Sequence, residues 1–337
     1  MKSYQITADY SIPSLALKEQ SIRELLPNEV LVKISAVSLN YRDLLVVTGF
    51  GRWKPPVGRV PVSDGVGYIV DKGSAVTTLS LNDRVAGLFL PNWIDGKLSA
   101  EKLLNPLGGG SRDGLLQEYA IFDQHELIQI PAFLSDEEGA TLPCAGLTAW
   151  NGIIERGNIT PDSTVLIQGT GGVSLFSLQF ALMAGAKVIL LSGSNEKLQL
   201  AGKLGAHHLI NYNEHPDWEK QVKDITNGHG VNHVVEVVGG NNINRSVDVA
   251  TYDATISIIG LIGGLSGEIS TSPIMSKQIK LQGIEVGSKA MFERMNNALV
   301  GNNIHPVIHK IYDFKEAKDA FTYLKDGKHF GKIIIKL

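Results

Sequence analysis

The strongest constraint on the fold is a glycine-rich turn between an apolar segment and a helical segment. The apolar segment is Thr164–Gln168, and a helix is predicted over 173–184. In such a turn the first glycine allows the sharp change of direction, and the second lets the backbone approach a pyrophosphate. The helix N-terminus then offers free N–H groups to the phosphates. The turn itself reads Gly169, Thr170, Gly171, Gly172 and Val173.

The surroundings of this turn favour a dinucleotide as its ligand. A glycine pattern alone is weak evidence, because flavodoxin-like and methyltransferase-like folds use similar turns for other ligands. Here a strand precedes the turn, a helix follows it, and a second apolar strand, Lys187–Ser192, completes a strand–helix–strand unit. Ser174 stands where Gly or Ala is usual, so the helix is expected to stand slightly further from its strand.

The order of predicted elements indicates an α/β fold with a doubly wound parallel (Rossmann) sheet and a second, β-rich domain. Alternating apolar and polar residues predict strands in the first 125 or so residues. Apolar strands interleaved with helices follow, at 164–169, 187–192, 207–212, 233–238, 254–260 and 280–286. The last helix and strand do not extend that series. We therefore predict domains over 1–126 and 127–286, with 287–337 returning to the first domain.

Composition excludes several classes of function. The 337 residues carry a formal net charge of -3 and no polybasic run, so no nucleic-acid or membrane partner is expected. The N-terminus has no apolar leader, and the single cysteine, Cys144, can form no disulfide within the chain. These features favour a cytoplasmic protein that acts on a small molecule.

The end of the second strand of the dinucleotide unit predicts NADPH as the cofactor. NAD sites carry an acid there, about 20 residues after the glycines, which binds the ribose 2′-hydroxyl. Ser192 and Ser194 occupy this region, and Lys197 follows in the next helix. Hydroxyl and ammonium groups can hold a 2′-phosphate. Glu196 lies nearby, but at a helix start, where an acid complements the helix dipole.

With these features in place, the chain resembles the medium-chain dehydrogenase/reductase superfamily over essentially its whole length. The β-rich first part, the glycine turn, the segment Leu198–Tyr212 (LQLAGKLGAHHLINY) and the segment Pro143–Ala149 (PCAGLTA) carry the resemblance. It implies that the first domain is a GroES-like catalytic domain.

The resemblance also implies a zinc-free branch of that superfamily, similar to quinone oxidoreductases and enone reductases. Zinc-dependent members bind a catalytic zinc with a Cys, a His and a second Cys. Asn40 stands at the first cysteine and Ser63 at the histidine, and only Cys144 remains. Asn and Ser are poor zinc ligands. Arg42 and Leu45 replace the hydroxyl and the histidine of the proton relay.

Asn40 and Tyr41 are the catalytic candidates. A quinone or enone is already polarised, so a hydrogen-bond donor can replace a metal at its carbonyl oxygen. The Asn40 amide could be that donor, or it could satisfy buried loop backbone instead. Tyr41 could donate a proton or simply pack under the loop. Asp43 and Asp64 are expected to form structural ion pairs with a residue such as Arg42.

Further cofactor contacts are implied on matching positions. Thr148 is expected near the nicotinamide ribose and Tyr212 near the adenine. Val238, Gly260 and Leu261 end two strands and would line the carboxyl edge of the sheet, although the last two could equally be the exit of a buried strand. The apolar edge of this sheet predicts a homodimer.

Together these features predict hydride transfer from NADPH to a quinone or an α,β-unsaturated carbonyl compound, without a metal. Two alternatives remain at this point. One is an alcohol dehydrogenase-like enzyme with a non-standard metal site. The other is an NADPH-binding sensor with little turnover, since the sequence offers no dedicated catalytic acid or base.

Overall fold

The computed structural model describes all 337 residues and divides them into two compact units. The first unit contains Met1–Leu147 and Val286–Leu337, and the second contains Thr148–Glu285. The sequence placed the first boundary at 126/127. The segment 127–147 belongs instead to the first unit, because its strand and its first helix pair with and pack on the strands of that unit.

Strands and helices alternate along most of the chain. The strands are β1 (Lys2–Gln5), β2 (Ala16–Glu19), β3 (Glu29–Ser38), β4 (Asp64–Lys72), β5 (Arg84–Gly87), β6 (Tyr119–Asp123), β7 (Leu127–Gln129), β8 (Thr164–Gln168), β9 (Lys187–Ser192), β10 (His208–Asn211), β11 (Val231–Glu236), β12 (Ala250–Ile258), β13 (Lys280–Gly283), β14 (Ile308–Asp313) and β15 (Lys332–Lys336).

The helices are α1 (Tyr41–Val47), α2 (Asp136–Gly139), α3 (Leu147–Trp150), α4 (Gly172–Met183), α5 (Asn195–Lys203), α6 (Trp218–Ile225), α7 (Asn242–Val249), α8 (Thr271–Lys277), α9 (Lys289–Asn302) and α10 (Ala317–Lys325). Two π-helical turns, Leu142–Gly146 and Asn151–Glu155, flank α3. None of the helices combines the length and the apolar composition required to cross a membrane.

The first unit is built on a sheet in the order β14-β15-β3-β4-β5-β7, with β6 also paired to β3. In β3, Val30, Val32 and Ile34 are buried while Lys33 between them is exposed, as the alternating pattern predicted. The C-terminal strand β15 pairs antiparallel with β3, so that Ile334 lies opposite Ser38. The predicted return of the tail to the first domain therefore places β15 beside the end of β3.

The second unit contains a six-stranded sheet in the order β10-β9-β8-β11-β12-β13, and every pair in it is parallel. Consecutive residues of β8, including Val165, Leu166 and Ile167, are all fully buried, because a parallel sheet is covered on both faces. The predicted doubly wound fold is confirmed. β13 is shorter than the segment 280–286 predicted from sequence, and it forms one edge of the sheet.

One buried residue of the second unit carries an electrostatic cost. His233 on β11 is fully buried, and neither ring nitrogen has a hydrogen-bond partner. Burial lowers its pKa to about 4 from the usual 6.5. The folded protein therefore keeps this imidazole neutral through a pH range in which the unfolded chain binds a proton.

We expect His233 to make the folded state less stable in mild acid. Between pH 6.5 and 4 the unfolded chain binds more protons than the folded protein at this residue. The free energy of unfolding therefore decreases as the pH is lowered through this range, by up to about 3 kcal/mol from His233. Denaturant titrations at a series of pH values measure this slope. The variant His233→Leu should flatten it, whereas His208→Leu, at an exposed position on β10, should not. An equal slope in wild type and His233→Leu would contradict the assignment.

Candidate functional site

The glycine turn has the geometry that phosphate binding requires. Gly169 has φ +73°, a left-handed conformation that favours glycine, and it turns the chain sharply after β8. A β-carbon built on Gly171 would find no atom within 4 Å, so the backbone there faces open space. Gly171 also begins α4, and no side chain caps that helix start. Uncapped N–H groups at a helix N-terminus beside open space suit the pyrophosphate of a dinucleotide.

Ser174 holds this turn in place instead of loosening it. Its hydroxyl donates a hydrogen bond of 2.7 Å to the carbonyl of Gln168, the last residue of β8. The side chain is almost fully buried. The bond fastens the first turn of α4 to the end of the strand, so the larger residue adds a tether where sequence reasoning expected a wider gap.

The serine turn after β9 contains the residues proposed to choose between NADPH and NADH. Ser192 is buried at the end of β9, and Ser194 caps α5 by accepting a bond from the backbone N–H of Lys197. Burial lowers the pKa of the Lys197 ammonium, against a smaller opposing effect of Glu196. A β-carbon on Gly193 would lie 2.8 Å from the Tyr212 hydroxyl, which places Tyr212 directly over this turn.

A carboxyl group that sequence analysis missed links the end of β11 to β8 and α7. Glu236 is fully buried and accepts bonds of 2.9 Å from the backbone N–H groups of Val238 and Gly239. A β-carbon on Gly239 would lie 2.6 Å from the carbonyl oxygen of Gly260. Further donors to Glu236 are the side chains of Gln168, Asn242 and Ser246.

The predicted cofactor residues therefore form one group at the carboxyl ends of the parallel strands, and Thr148 alone lies elsewhere. All of them except Thr148 lie at the end of β9, in the turns after β8, β9, β10, β11 and β12, or in the first turn of α4 or α5. The carboxyl ends of parallel strands lie along one edge of a sheet. Val238, Gly260 and Leu261 are half-buried at that edge. Thr148 is buried on α3, away from the strand ends in sequence.

In the first unit, Asn40 lies in a buried cluster of charged groups. It begins α1, and its backbone N–H donates to Asp43 Oδ2 at 2.8 Å. Its side chain is 8% exposed, and Nδ2 has no hydrogen-bond partner. Tyr41, the next residue, is 45% exposed, so it does not pack under the loop. Only Asn40 of the two predicted catalytic residues belongs to this cluster.

Two buried carboxyl groups belong to the same cluster as this asparagine. Asp43 forms an ion pair with Arg42 at 3.5 Å, as predicted. Asp64 is held differently, because its two oxygens accept from the Ser63 hydroxyl at 2.7 Å and from the backbone N–H of Cys144 at 2.9 Å. Burial raises the pKa of Asp64 to about 6, although the nearby Lys332 opposes that increase. Burial also raises the pKa of Asp43.

Lys332 completes the cluster, and sequence analysis did not identify it. It is the first residue of β15 and is only 3% exposed. Its Nζ donates to the carbonyl of Leu39 and to Oδ1 of Asn40, both at 2.5 Å. Burial lowers its pKa, and Asp64 is the strongest opposing influence. A lysine before an apolar run gives no local sign of burial, because the partner strand is almost 300 residues away.

The donor set does not suit a zinc ion. No group of three or more His, Cys, Asp or Glu side chains is placed to share a metal. The amide oxygen of Asn40 is already engaged by an ammonium, and Ser63 donates its hydroxyl to Asp64. Desolvation raises the pKa of the Cys144 thiol well above its ordinary value, and the neighbouring Asp64 adds to this effect.

Comparison with known proteins gives a consistent result. The alcohol dehydrogenase GroES-like domain matches residues 26–132, and the zinc-binding dehydrogenase family matches residues 172–300. A zinc-type alcohol dehydrogenase-like protein of Schizosaccharomyces pombe is 41% identical over 94% of this chain and 92% of that protein. Quinone oxidoreductase-like protein 2 of Mus musculus is 28% identical over 96% of this chain and 89% of that protein.

One solved structure of similar size is that of an NAD-dependent alcohol dehydrogenase. It superimposes with a TM-score of 0.90 at 28% identity, and the match covers 100% of both chains. The likeness extends through both units of the present chain. The names of these relatives and of this structure include both alcohol dehydrogenases and quinone oxidoreductase-like proteins.

We expect Gly171→Ala to separate dinucleotide binding from stability. The backbone at Gly171 has φ -77°, which alanine adopts freely, and the added methyl group meets no protein atom. It would occupy space at the turn that a pyrophosphate needs, so affinity should fall about tenfold or more while the melting temperature stays unchanged. Nucleotide fluorescence titration and thermal unfolding measure the two quantities. Gly301→Ala, which also meets open space but lies on α9, is the matched control. Unaltered binding in Gly171→Ala would contradict the role of the turn.

Proposed function

Since the chain belongs to the medium-chain dehydrogenase/reductase superfamily and is an oxidoreductase with a nicotinamide cofactor, we propose that it reduces quinones or α,β-unsaturated carbonyl compounds with NADPH. We propose further that it does so without zinc. The observation that carries the proposal is the buried ammonium of Lys332, bound to Asn40 at the position where zinc-dependent members have a cysteine ligand.

Electrostatics support a reaction without a metal. A divalent cation at Asn40 would have to displace the buried Lys332 ammonium from the amide oxygen Oδ1, the one ligand atom that this side chain offers to a metal. The alcohol dehydrogenase names among the relatives are therefore weaker guides to the reaction than the residues of this cluster. An alcohol substrate also needs a group that removes its hydroxyl proton, a task that the metal assists in zinc-dependent enzymes.

Asn40 is the group we propose to act on the substrate. Reduction of a quinone or an enone places negative charge on the carbonyl oxygen, and a donor aimed at that oxygen lowers the barrier. The buried Nδ2 of Asn40 has no hydrogen-bond partner in the protein, and it is the donor we propose for this oxygen. A buried donor left unpaired costs about 1–3 kcal/mol, which an acceptor atom of the substrate would recover. When bound, the nicotinamide supplies the hydride.

The turn after β9 supports NADPH over NADH. Ser192 and Ser194 stand where an acid would bind a ribose 2′-hydroxyl, and Lys197 follows in the first turn of α5. The similar structure named as NAD-dependent shows that this fold also serves NAD, so the preference depends on these side chains and not on the fold.

A steady-state screen tests the proposal. We expect the purified protein to oxidise NADPH faster than NADH in the presence of quinones, enals or enones, with less than stoichiometric zinc by metal analysis. Asn40→Ala should lower kcat by about 10²–10³-fold, the usual effect of removing one such donor. Tyr41→Phe, at an exposed neighbouring position, should leave kcat unchanged. Stoichiometric zinc, or full turnover by Asn40→Ala, would contradict the proposal.

We also propose that two copies of the chain pair along β13. This strand is an edge of the parallel sheet, with Leu281 exposed, and the loop after β12 exposes Ile262 and Leu265. An apolar edge strand favours pairing with another chain. Light scattering at micromolar concentration should give twice the mass of one chain. Leu281→Asp should give the mass of one chain, and Leu209→Asp, exposed on the opposite edge strand β10, should not. A single-chain mass for the wild type would refute pairing.

A further inference from the structure

We infer that Lys332 is a positioning residue that orients and polarises the Asn40 amide, so that the ammonium takes over, through that amide, the electrostatic role of a catalytic metal. The inference rests on the proposed function, in which Asn40 donates to the substrate oxygen. It concerns a residue on β15, the last strand of the chain, to which neither the sequence nor the family resemblance assigned a role.

The geometry of the contact fixes which way the amide faces. An ammonium has donors only, so the amide must present its oxygen to Lys332 and turn Nδ2 away from it. A free Asn side chain could rotate by half a turn and offer the oxygen instead. That orientation would repel the charge that develops on a substrate carbonyl. Lys332 therefore selects the one orientation of Asn40 in which a donor is available.

The same contact strengthens the donor. A hydrogen bond from a charged group to an amide oxygen draws electron density from the amide nitrogen, and in a buried site this polarisation is poorly screened. The Asn40 amide also contributes to lowering the pKa of the Asp64 carboxyl group, which places the two side chains close to one another. Neither Nδ2 hydrogen reaches a partner with good hydrogen-bond geometry. An acceptor atom from a ligand can therefore complete the coordination of this nitrogen.

Several contacts hold the ammonium in place. The backbone carbonyl of Leu39 accepts its second hydrogen bond. Asp64 and Asp43 compensate its charge, and Arg42 compensates Asp43 in turn. With both carboxyl groups ionised and with Lys332 and Arg42 protonated, the buried group has no net charge. Such compensation is what permits a buried lysine to remain charged.

A purely structural reading is that Lys332 only neutralises the two carboxylates. The two readings differ in one respect. A structural lysine would affect stability whether or not Asn40 is present. It would not change the orientation or the polarisation of the Asn40 amide. A positioning lysine would affect turnover only through Asn40. Variants at both positions therefore separate the readings.

Steady-state kinetics give the first test. Lys332→Met should lower kcat about ten- to a hundredfold, with the KM for NADPH unchanged, and Lys332→Arg should recover part of the loss. The double variant Asn40→Ala/Lys332→Met should be no slower than Asn40→Ala. Lys336→Met, on the same strand but with a 58% exposed side chain, is the matched control. Full turnover by Lys332→Met, or losses that multiply in the double variant, would overturn the inference.

Nuclear magnetic resonance gives a second test that needs no turnover. In protein labelled with ¹⁵N at asparagine, the side-chain amide signal of Asn40, assigned by its loss in Asn40→Ala, should move in Lys332→Met but not in Lys336→Met. In protein labelled at lysine Nζ, a slowly exchanging ammonium signal should move in Asn40→Ala, a comparison that does not require any Lys332 variant to fold. Unmoved signals would overturn the inference. Moved signals in a protein that reduces no quinone or enone would instead refute the proposed function alone.

Discussion

The pairing of β15 with β3 is the interaction on which the buried cluster depends. Its antiparallel register places Ile334 opposite Ser38, and the same register continued by two residues sets Lys332 against Asn40. A backbone hydrogen bond of 3.0 Å from Leu39 to Ile333 fixes that continuation. A shift by one residue would turn Lys332 to the other face of the sheet and leave the buried carboxyl group of Asp64 without its nearby cation. The chemistry proposed for Asn40 thus depends on a strand at the far end of the chain.

Sequence reasoning recovered what local patterns determine. The six parallel strands and the turn at Gly169 and Gly171 follow from short-range signals: apolar runs, glycines and helix starts. The serine turn was located by its fixed distance from the glycines. The sequence placed the first domain boundary too early, because the short strand β7 and α2 pair with and pack on the first unit, and no linker composition marks that arrangement.

The missed residues share a physical reason. Lys332 and Glu236 are charged residue types, which are rarely buried unless paired, and their pairing is long-range. Lys332 finds its partners through strand register, and Glu236 finds donors on β8, on the loop after its own strand and on α7. A local pattern cannot show either arrangement. The one available signal was the count of polar residues on otherwise apolar strands, such as Glu236 within HVVEVV. Such residues need partners, and their presence predicts that partners exist without naming them.

The two units compensate their buried charged side chains in different ways. The Glu236 carboxylate accepts hydrogen bonds from neutral donors, among them the N–H groups of Val238 and Gly239. These bonds fix the chain at the end of β11 and occupy the carboxylate oxygens. The cluster around Asn40 balances charges against one another and leaves Nδ2 without a partner. Complete satisfaction produces a rigid scaffold, whereas an unsatisfied amide donor among balanced charges is a group that an acceptor atom of a ligand can satisfy. That contrast supports the proposal that Asn40 acts on the substrate, with the nearby Lys332 in place of a metal ion.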